Sequence, residues 1–140
     1  MKNRLNIIAE IAQGFEGNFE QSKLLIKAAA KAGADAVKFQ LVYADELATA
    51  DYKYYSLFKE LEMEDAQWKS LKDYAFSLGT KLIVDVFGKK SLKTAEKIGI
   101  NVVKVHGTDV SNLGLLEAIS TSSVKTVILG LGGSYWEEIE

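Results

Sequence analysis

The sequence predicts an α/β protein built on a parallel sheet. Short runs rich in β-branched residues alternate with helical stretches, and glycine or aspartate stands near most of the joins. The strand candidates are residues 5–11, 36–41, 81–87, 101–105 and 126–131. Most of these runs are apolar throughout, which is typical of parallel strands that are covered on both faces.

Capping signals mark the helices between these strands. Asn18 is followed three residues later by Gln21, the spacing of a capping box, and the pattern predicts a helix over residues 19–31 that ends at Gly33. We expect its inward stripe to contain Leu24, Leu25, Ala28, Ala29 and Ala32. Further helices are predicted over residues 63–78, 89–98 and 111–120, and another is expected to begin at Ser134.

Composition excludes several classes of function. The chain has 140 residues and a net charge of −2, with no basic stripe for a nucleic acid backbone. Its longest apolar runs are too short to cross a membrane, and residues 1–4 lead into the first strand without a signal-peptide pattern, so we expect a cytoplasmic protein. The absence of cysteine excludes thiolate chemistry, and the single histidine, His106, excludes a two-histidine metal site within this segment.

Two architectures fit this order of elements. A doubly wound sheet and the first part of an eight-stranded (β/α)₈ barrel both alternate strands with helices. The turn after the first strand, residues 10–17, lacks the GxGxxG fingerprint, which argues against a dinucleotide site. Both folds gather function where strands end and the loops to the next helix begin.

Polar residues stand at these strand ends. Four of the five strand candidates carry an ionisable residue in or directly after an apolar run. They contribute Glu10, then Lys38 with Gln40, then Asp85, then Lys104 with His106, and Asp109 follows. A buried charge costs solvation energy unless it is paired or used. Two lysines at one rim would make a phosphate or carboxylate site, and a carboxylate between them could orient water or move a proton.

Each of these residues also has a purely structural interpretation. Glu10 and Lys38 could form an ion pair between neighbouring strands, and Lys104 could be paired in the same way. His106 could be a satisfied polar residue at a strand end, and Asp85 could be a helix N-cap or a cation ligand. The long loop after the second strand carries an aromatic cluster, Tyr52, Tyr54, Tyr55 and Phe58, which suits a packed lid or interface better than a sugar platform.

Several segments in a fixed order resemble the sialic acid synthase family. The strongest are residues 7–11, Gly17-Asn18 and residues 28–40, supported by residues 61–63, 103–105, 112–116 and 127–129 before Gly132. The resemblance implies that residues 1–140 are the N-terminal part of a single (β/α)₈ barrel domain, about its first five βα units. It also implies condensation of phosphoenolpyruvate with an N-acetylated amino sugar to a nonulosonic acid.

The resemblance assigns roles position by position. Glu10 matches a carboxylate beside the reacting carbons, Lys38 and Lys104 match lysines that hold the anionic groups of phosphoenolpyruvate, and Gln40 matches a polar residue near the sugar. We expect Asp85, His106, Thr108 and Asp109 to contact substrate, Asp109 standing where the family usually has glutamate. The family also implies a divalent metal, manganese or magnesium, whose ligands would lie beyond Glu140, and we expect a homo-oligomer.

The chain departs from the family pattern at its turns. Gly14-Phe15 replaces Asn-His, Asp85-Val86-Phe87 replaces Thr-Pro-Phe, and the phosphate-binding serines are missing after the fourth and fifth strands, where Thr108 could supply one hydroxyl. Two alternatives therefore stay open, a non-catalytic binding domain and another barrel enzyme that acts on a phosphorylated small molecule. We also expect the isolated segment to be inactive, since half a barrel has two open sheet edges.

Overall fold

The order of the strands decides between the two architectures. A computed structural model describes residues 5–138, in which five parallel strands form one sheet in the order β1-β2-β3-β4-β5. The strands are β1 (Ile8–Ala12), β2 (Ala36–Gln40), β3 (Lys81–Val86), β4 (Val102–Val105) and β5 (Thr126–Leu129). Each crossover moves one position in the same direction, whereas a doubly wound sheet reverses direction. The sheet is therefore part of a (β/α)₈ barrel.

Helices follow most of the strands, close to the predicted positions. They are α1 (Phe19–Lys31), α2 (Ala44–Leu47), α3 (Tyr55–Glu60), α4 (Asp65–Ser77), α5 (Lys89–Lys97) and α6 (Leu113–Ser120), with 3₁₀ turns at Gly107–Asp109 and Trp136–Glu138. The expected N-cap is present, because Asn18 Oδ1 accepts from the Gln21 backbone N–H at 3.0 Å. α6 begins at Leu113 rather than residue 111, since Asn112 caps it.

The structure differs from the sequence-based prediction in the loop after β2 and at the C-terminal end. The loop after β2 contains α2 and α3, which the sequence did not suggest. From Ser134 onward the structure describes only the 3₁₀ turn, and residues 139–140 lie outside the described part, as do residues 1–4, on which the expectation about a signal peptide rests. No helix within residues 5–138 is long and apolar enough to span a membrane.

The inward stripe of α1 agrees only in part with the prediction, because Leu25 and Ala29 pack against the core while Leu24, Ala28 and Ala32 are exposed. Leu24 is 68% exposed, and the buried residues are Ser22 and Ile26, with Leu25 and Ala29 partly buried beside them. Ser22 can lie inside because its hydroxyl donates to the Asn18 carbonyl oxygen at 2.9 Å. The buried face of α1 therefore includes Ser22, whose hydroxyl is hydrogen-bonded, and Leu24 lies outside that face.

The two faces of the sheet have different chemistry. One face carries Val37, Phe39, Val84, Val86 and Val103, which are fully buried in a core shared with the helices. The alternate residues point to the opposite face, and toward the carboxyl ends of β1 to β4 they are charged or amides. In a closed barrel this second face lines the interior, so its polar upper layer lies at the end where barrel active sites occur.

An aromatic cluster anchors the loop after β1. Phe15 from this loop contacts Phe39 of β2 and Trp68 of α4, with ring centroids 5.5 and 5.7 Å away, and all three residues are completely buried. Gly17 completes the loop with φ +69°, and a Cβ there would overlap the Glu60 carbonyl oxygen at the end of α3. The loop is thus fixed between the sheet and two helices.

Candidate active site

Four charged side chains from four consecutive strands form a continuous chain of ion pairs, here called the ion network: Glu10, Lys38, Asp85 and Lys104. Register explains the contacts, because Glu10 lies opposite Lys38 and Asp85 lies opposite Lys104. Lys38 Nζ pairs with Glu10 and lies 2.7 Å from Asp85 Oδ1, while Lys104 Nζ lies 3.1 Å from Asp85 Oδ2. Glu10, Lys38 and Lys104 thus lie on one rim, as expected, while their role at an anion pocket stays a prediction.

The backbone fixes the outer end of the network. A bulge interrupts the pairing of β1 and β2 between Glu10 and Ala12, and Ala12 adopts φ 52°. This turn directs the Ala12 N–H to Glu10 Oε1 at 3.0 Å, while Oε2 of the same carboxylate pairs with Lys38. The Glu10 side chain is nevertheless 50% exposed. It is therefore oriented by two partners and still open to an incoming molecule.

Lys38 is a buried ammonium group whose charge is stabilised by its neighbours. Burial by itself would lower the pKa of Lys38, but the hydrogen bonds and charges of Asp85 and Glu10 outweigh burial and raise that pKa above its ordinary value. Lys38 is consequently a permanent cation at neutral pH. It can bind an anion or fix a carboxylate, and it cannot act as a proton acceptor there.

Asp85 is the centre of the network and is almost completely buried, with a side-chain exposure of 1%. Its two oxygens accept from two different lysines. The structure contradicts one of the roles considered from the sequence, because the N-cap of α5 is Gly88 and not Asp85. The Asp85 carboxylate instead pairs with two ammonium groups, and its expected contact with substrate stays a prediction.

The other expected substrate-binding residues form two separate groups at the same end of the sheet. After β4, His106 Nδ1 lies 3.2 Å from Thr108 Oγ1, and the Thr108 hydroxyl donates to Asp109 Oδ2 at 3.1 Å. Because that hydroxyl has one proton, Nδ1 of His106 must be the donor to it. Gln40 accepts from Gln13 Nε2 at 2.7 Å. Gln13 was missed from the sequence, although it follows β1 directly.

Two open grooves lie among the loops that follow the strands. One, of about 620 Å³, is lined by Gln13, Glu16, Tyr54, Leu57, Phe58 and Leu61, so the aromatic segment of the β2 loop faces it. The other, of about 370 Å³, is lined by Gly107, Ser111, Gly132 and Ser134 from the loops after β4 and β5. Both are of a size for small molecules, and both lie beside loops that follow the carboxyl ends of strands.

Comparison with known proteins identifies the family of this chain. A model described as the NeuB family matches residues 25–140. The chain belongs to the NeuB family. Its five-stranded sheet and its helices superpose on a Leptospira borgpetersenii N-acetylneuraminic acid (sialic acid) synthetase in complex with citrate, with a TM-score of 0.91 and 28% identity, covering 98% of this chain and 48% of that one.

Two further proteins are similar to this chain in sequence. The uncharacterized protein MJ1065 of Methanocaldococcus jannaschii is 33% identical over 138 residues, which are 96% of this chain and 41% of that protein. An N,N'-diacetyllegionaminic acid synthase of Legionella pneumophila is 28% identical over 136 residues, covering 87% of this chain and 38% of the synthase. The chain spans less than half the length of these relatives.

Two departures of this NeuB-family chain from the expected pattern have structural explanations. Phe15, in place of a polar residue, is part of the aromatic core and does not reach the ion network. Asp85 is the buried bridge between the two lysines. Phe15 therefore changes the packing of the loop, while Asp85 changes the charge of the ion network.

The residues described here do not form a metal site. Within residues 5–138 no group of three or more histidine, cysteine, aspartate or glutamate side chains could hold a metal ion. The two carboxylates of the ion network, Glu10 and Asp85, are both engaged in ion pairs with lysines. The divalent metal expected for the NeuB family thus does not fit these residues, and ligands elsewhere remain a prediction.

Proposed function

We propose that this chain provides the phosphoenolpyruvate-binding half of a sugar-acid synthase barrel, which condenses phosphoenolpyruvate with an N-acetylated amino sugar to a nonulosonic acid. The observation that carries the proposal is the ion network, in which Lys38 and Lys104 come from different strands and meet at the carboxyl end of the sheet. Relatives named as sialic acid and legionaminic acid synthases support the class of product.

The roles follow from charge and exposure. Lys104, with a side-chain exposure of 21%, is the ammonium group that an anion reaches from solvent, and Lys38, with an exposure of 7%, is the more buried of the two lysines. Together they would hold the carboxylate or phosphate of phosphoenolpyruvate by charge-assisted hydrogen bonds. Glu10, oriented but open, is the group placed to orient water or move a proton near the reacting carbons.

The proposed reaction balances without a redox step. A carbon–carbon bond forms between C3 of phosphoenolpyruvate and the aldehyde carbon of the sugar, and the aldehyde oxygen takes up a proton to become a hydroxyl group. Water adds at C2, and inorganic phosphate leaves. The metal that the family implies would supply electrophilic assistance at the aldehyde. The described residues contribute anion binding, orientation and proton transfer.

The five strands within residues 5–138 leave a barrel of eight incomplete. We therefore expect turnover only when three further strands close the site, whether from the same polypeptide or from another one. Closure would exclude water and surround the side of the network on which Glu10 is exposed.

A product assay tests this proposal. The protein would be incubated with phosphoenolpyruvate, manganese or magnesium and a panel of N-acetylated amino sugars, with and without a polypeptide that supplies the remaining strands. We expect phosphate release that depends on one of the sugars, together with a product heavier than that sugar by the mass of pyruvic acid. Phosphate release without such a product in the closed barrel would contradict the proposal.

One observation favours a second candidate, a binding domain without turnover. Two carboxylates already neutralise the two lysines of the network, so the site has no excess positive charge of its own. If this is the function, Lys38→Ala and Lys104→Ala variants should leave phosphoenolpyruvate affinity unchanged, because no anion is bound there. Loss of affinity in both variants would support the synthase instead.

A further inference from the structure

Asp85 already occupies the position between the two lysines. Its oxygens lie 2.7 Å from Lys38 Nζ and 3.1 Å from Lys104 Nζ, which are the distances that a bound phosphate or carboxylate oxygen would make. A ligand oxygen that contacts both ammonium groups must therefore enter beside this carboxylate or take its place. Either event brings two negative charges together in a region where Asp85 is sealed from water.

Asp85 is also the residue that sets the charge of the network. With Glu10 and Asp85 ionised and both lysines protonated, the four side chains sum to zero, and loss of the Asp85 charge would leave one positive charge. That charge would reside mainly at Lys104, because Lys38 keeps Glu10 as a partner, whereas Asp85 is the only ion-pair partner found for Lys104 within residues 5–138.

We propose that Asp85 is a specificity-determining residue that acts as an internal competitor for the substrate anion and must release Lys104 before an anion can bind. This deepens the proposed function, since it concerns the anion at the same site. The competition lowers affinity for all small anions, and it favours a ligand whose other contacts can displace the carboxylate. Inorganic phosphate, which has no other contacts to offer, is discriminated against most strongly.

The exposure of the four side chains in the ion network indicates how a ligand anion replaces the Asp85 carboxylate at Lys104. Lys104 and Glu10 form the accessible ends of the network, while Lys38 and Asp85 form its buried middle. An anion that arrives from solvent meets Lys104 first and breaks the longer of the two contacts that Asp85 makes. Lys38 stays bound to Asp85 and Glu10 during this step. This first step needs only a movement of the Lys104 side chain, with no change in the sheet.

Affinity for two probes tests the proposal. Isothermal titration calorimetry at low ionic strength would measure inorganic phosphate and phosphoenolpyruvate binding to the full chain and to Asp85→Asn, which keeps shape and removes charge. We expect both anions to bind Asp85→Asn on the order of ten- to a hundredfold more tightly, with the larger gain for inorganic phosphate. Asp85→Ser provides a second, smaller replacement, and circular dichroism confirms that each variant is folded.

Two controls separate charge at the site from other effects. Asp73→Asn makes the same change in net charge at an exposed pair with Lys69 on α4, and should leave both affinities unchanged. The double variant Asp85→Asn with Lys104→Met restores neutrality and should lose the gain. If Asp85 instead holds the lysines in position for the ligand, Asp85→Asn and Asp85→Ser will bind both anions no better than the wild type, and the proposal is overturned.

The same data distinguish this inference from the proposed function. A gain for phosphate in Asp85→Asn supports the internal competitor whatever the reaction is. If phosphoenolpyruvate then binds no better than inorganic phosphate and the closed barrel forms no sugar acid, the proposed synthase fails while the role of Asp85 stands. No gain for either anion overturns the competitor, even if the synthase assay succeeds.

Discussion

Lys38 and Asp85 form a buried ion pair across β2 and β3, with Nζ 2.7 Å from Oδ1 and with side-chain exposures of 7% and 1%. Such a pair is expensive to desolvate and is retained only where its geometry and additional hydrogen bonds compensate. Here Glu10 and Lys104 provide that compensation on either side. The pair therefore affects both the stability of the sheet and the charge of the ion network at its rim.

Replacing Lys38 by methionine should destabilise the fold. The change leaves Asp85 buried with Lys104 as its remaining ion-pair partner in the network, so we expect the free energy of unfolding to fall by about 3 kcal/mol, the lower end of the cost of removing one member of a buried pair. Urea denaturation measures it. Lys69→Met, which breaks an exposed pair with Asp73, is the control and should cost about 0.5 kcal/mol or less. If both variants lose the same free energy of unfolding, burial of the ion network does not add to the cost of removing one of its lysines.

The stability of the protein should depend on Lys38 at alkaline pH. Its pKa is raised in the folded state by Asp85 and Glu10 against the opposing effect of burial. The stabilisation is thus complete below the unfolded-state pKa of about 10.4 and is lost as pH rises through the higher folded-state pKa. Between about pH 10 and 12, unfolding free energy should fall less steeply in Lys38→Met than in the wild type. Parallel curves would contradict this assignment, since the other shifted groups are common to both proteins.

Gly17→Ala should disrupt the loop after β1. Its φ of +69° disfavours a side chain, and the added Cβ would overlap the Glu60 carbonyl oxygen. Gly33→Ala is matched to it, with φ +87° but open space around the Cβ. We expect about 1–2 kcal/mol for Gly33→Ala from backbone strain alone, and about 1–3 kcal/mol more for Gly17→Ala from the overlap. Thermal or urea unfolding of the two variants checks the difference, which should be absent if the loop can move away from α3.

Trp68 should contribute through packing and not through hydrogen bonding. It is completely buried between Phe15 and Phe39, and its indole N–H has no acceptor within the part of the chain that the structure describes. Trp68→Ala should cost about 3–5 kcal/mol, and Trp68→Phe roughly half of that or less, because it keeps an aromatic ring and gives up no hydrogen bond. If Trp68→Ala and Trp68→Phe lower the free energy of unfolding equally in denaturation experiments, a hydrogen bond of the indole must contribute to stability.

Local patterns in the sequence were enough to predict the strands and the larger helices. Apolar runs, the Asn18 cap and the charged residues at strand ends are properties of neighbouring positions, and they placed Glu10, Lys38 and Lys104 on one rim. α2 was not predictable in this way. Its first N–H relies on a distant partner, because the Ala44 N–H donates to Glu62 Oε1 at 2.9 Å. Such contacts depend on the fold and leave no local signal.

The role of Asp85 was not predictable for a related reason. Its function in the network depends on the register of three strands, which sets it opposite Lys104 and beside the end of the Lys38 side chain. In the sequence these residues are separated by 47 and 19 positions. Strand ends indicate which residues share a rim, but only the paired sheet shows which of them neutralise one another.

The anion site at this rim is tested most directly by the affinity of the full chain for phosphoenolpyruvate before and after Lys104→Met. We expect measurable binding to the wild type and a loss of about ten- to a hundredfold in the variant, as for one charge-assisted hydrogen bond. Lys69→Met, on the exposed surface of α4, should bind as the wild type does. Unchanged affinity in Lys104→Met would contradict the claim that this rim of the barrel is an anion site.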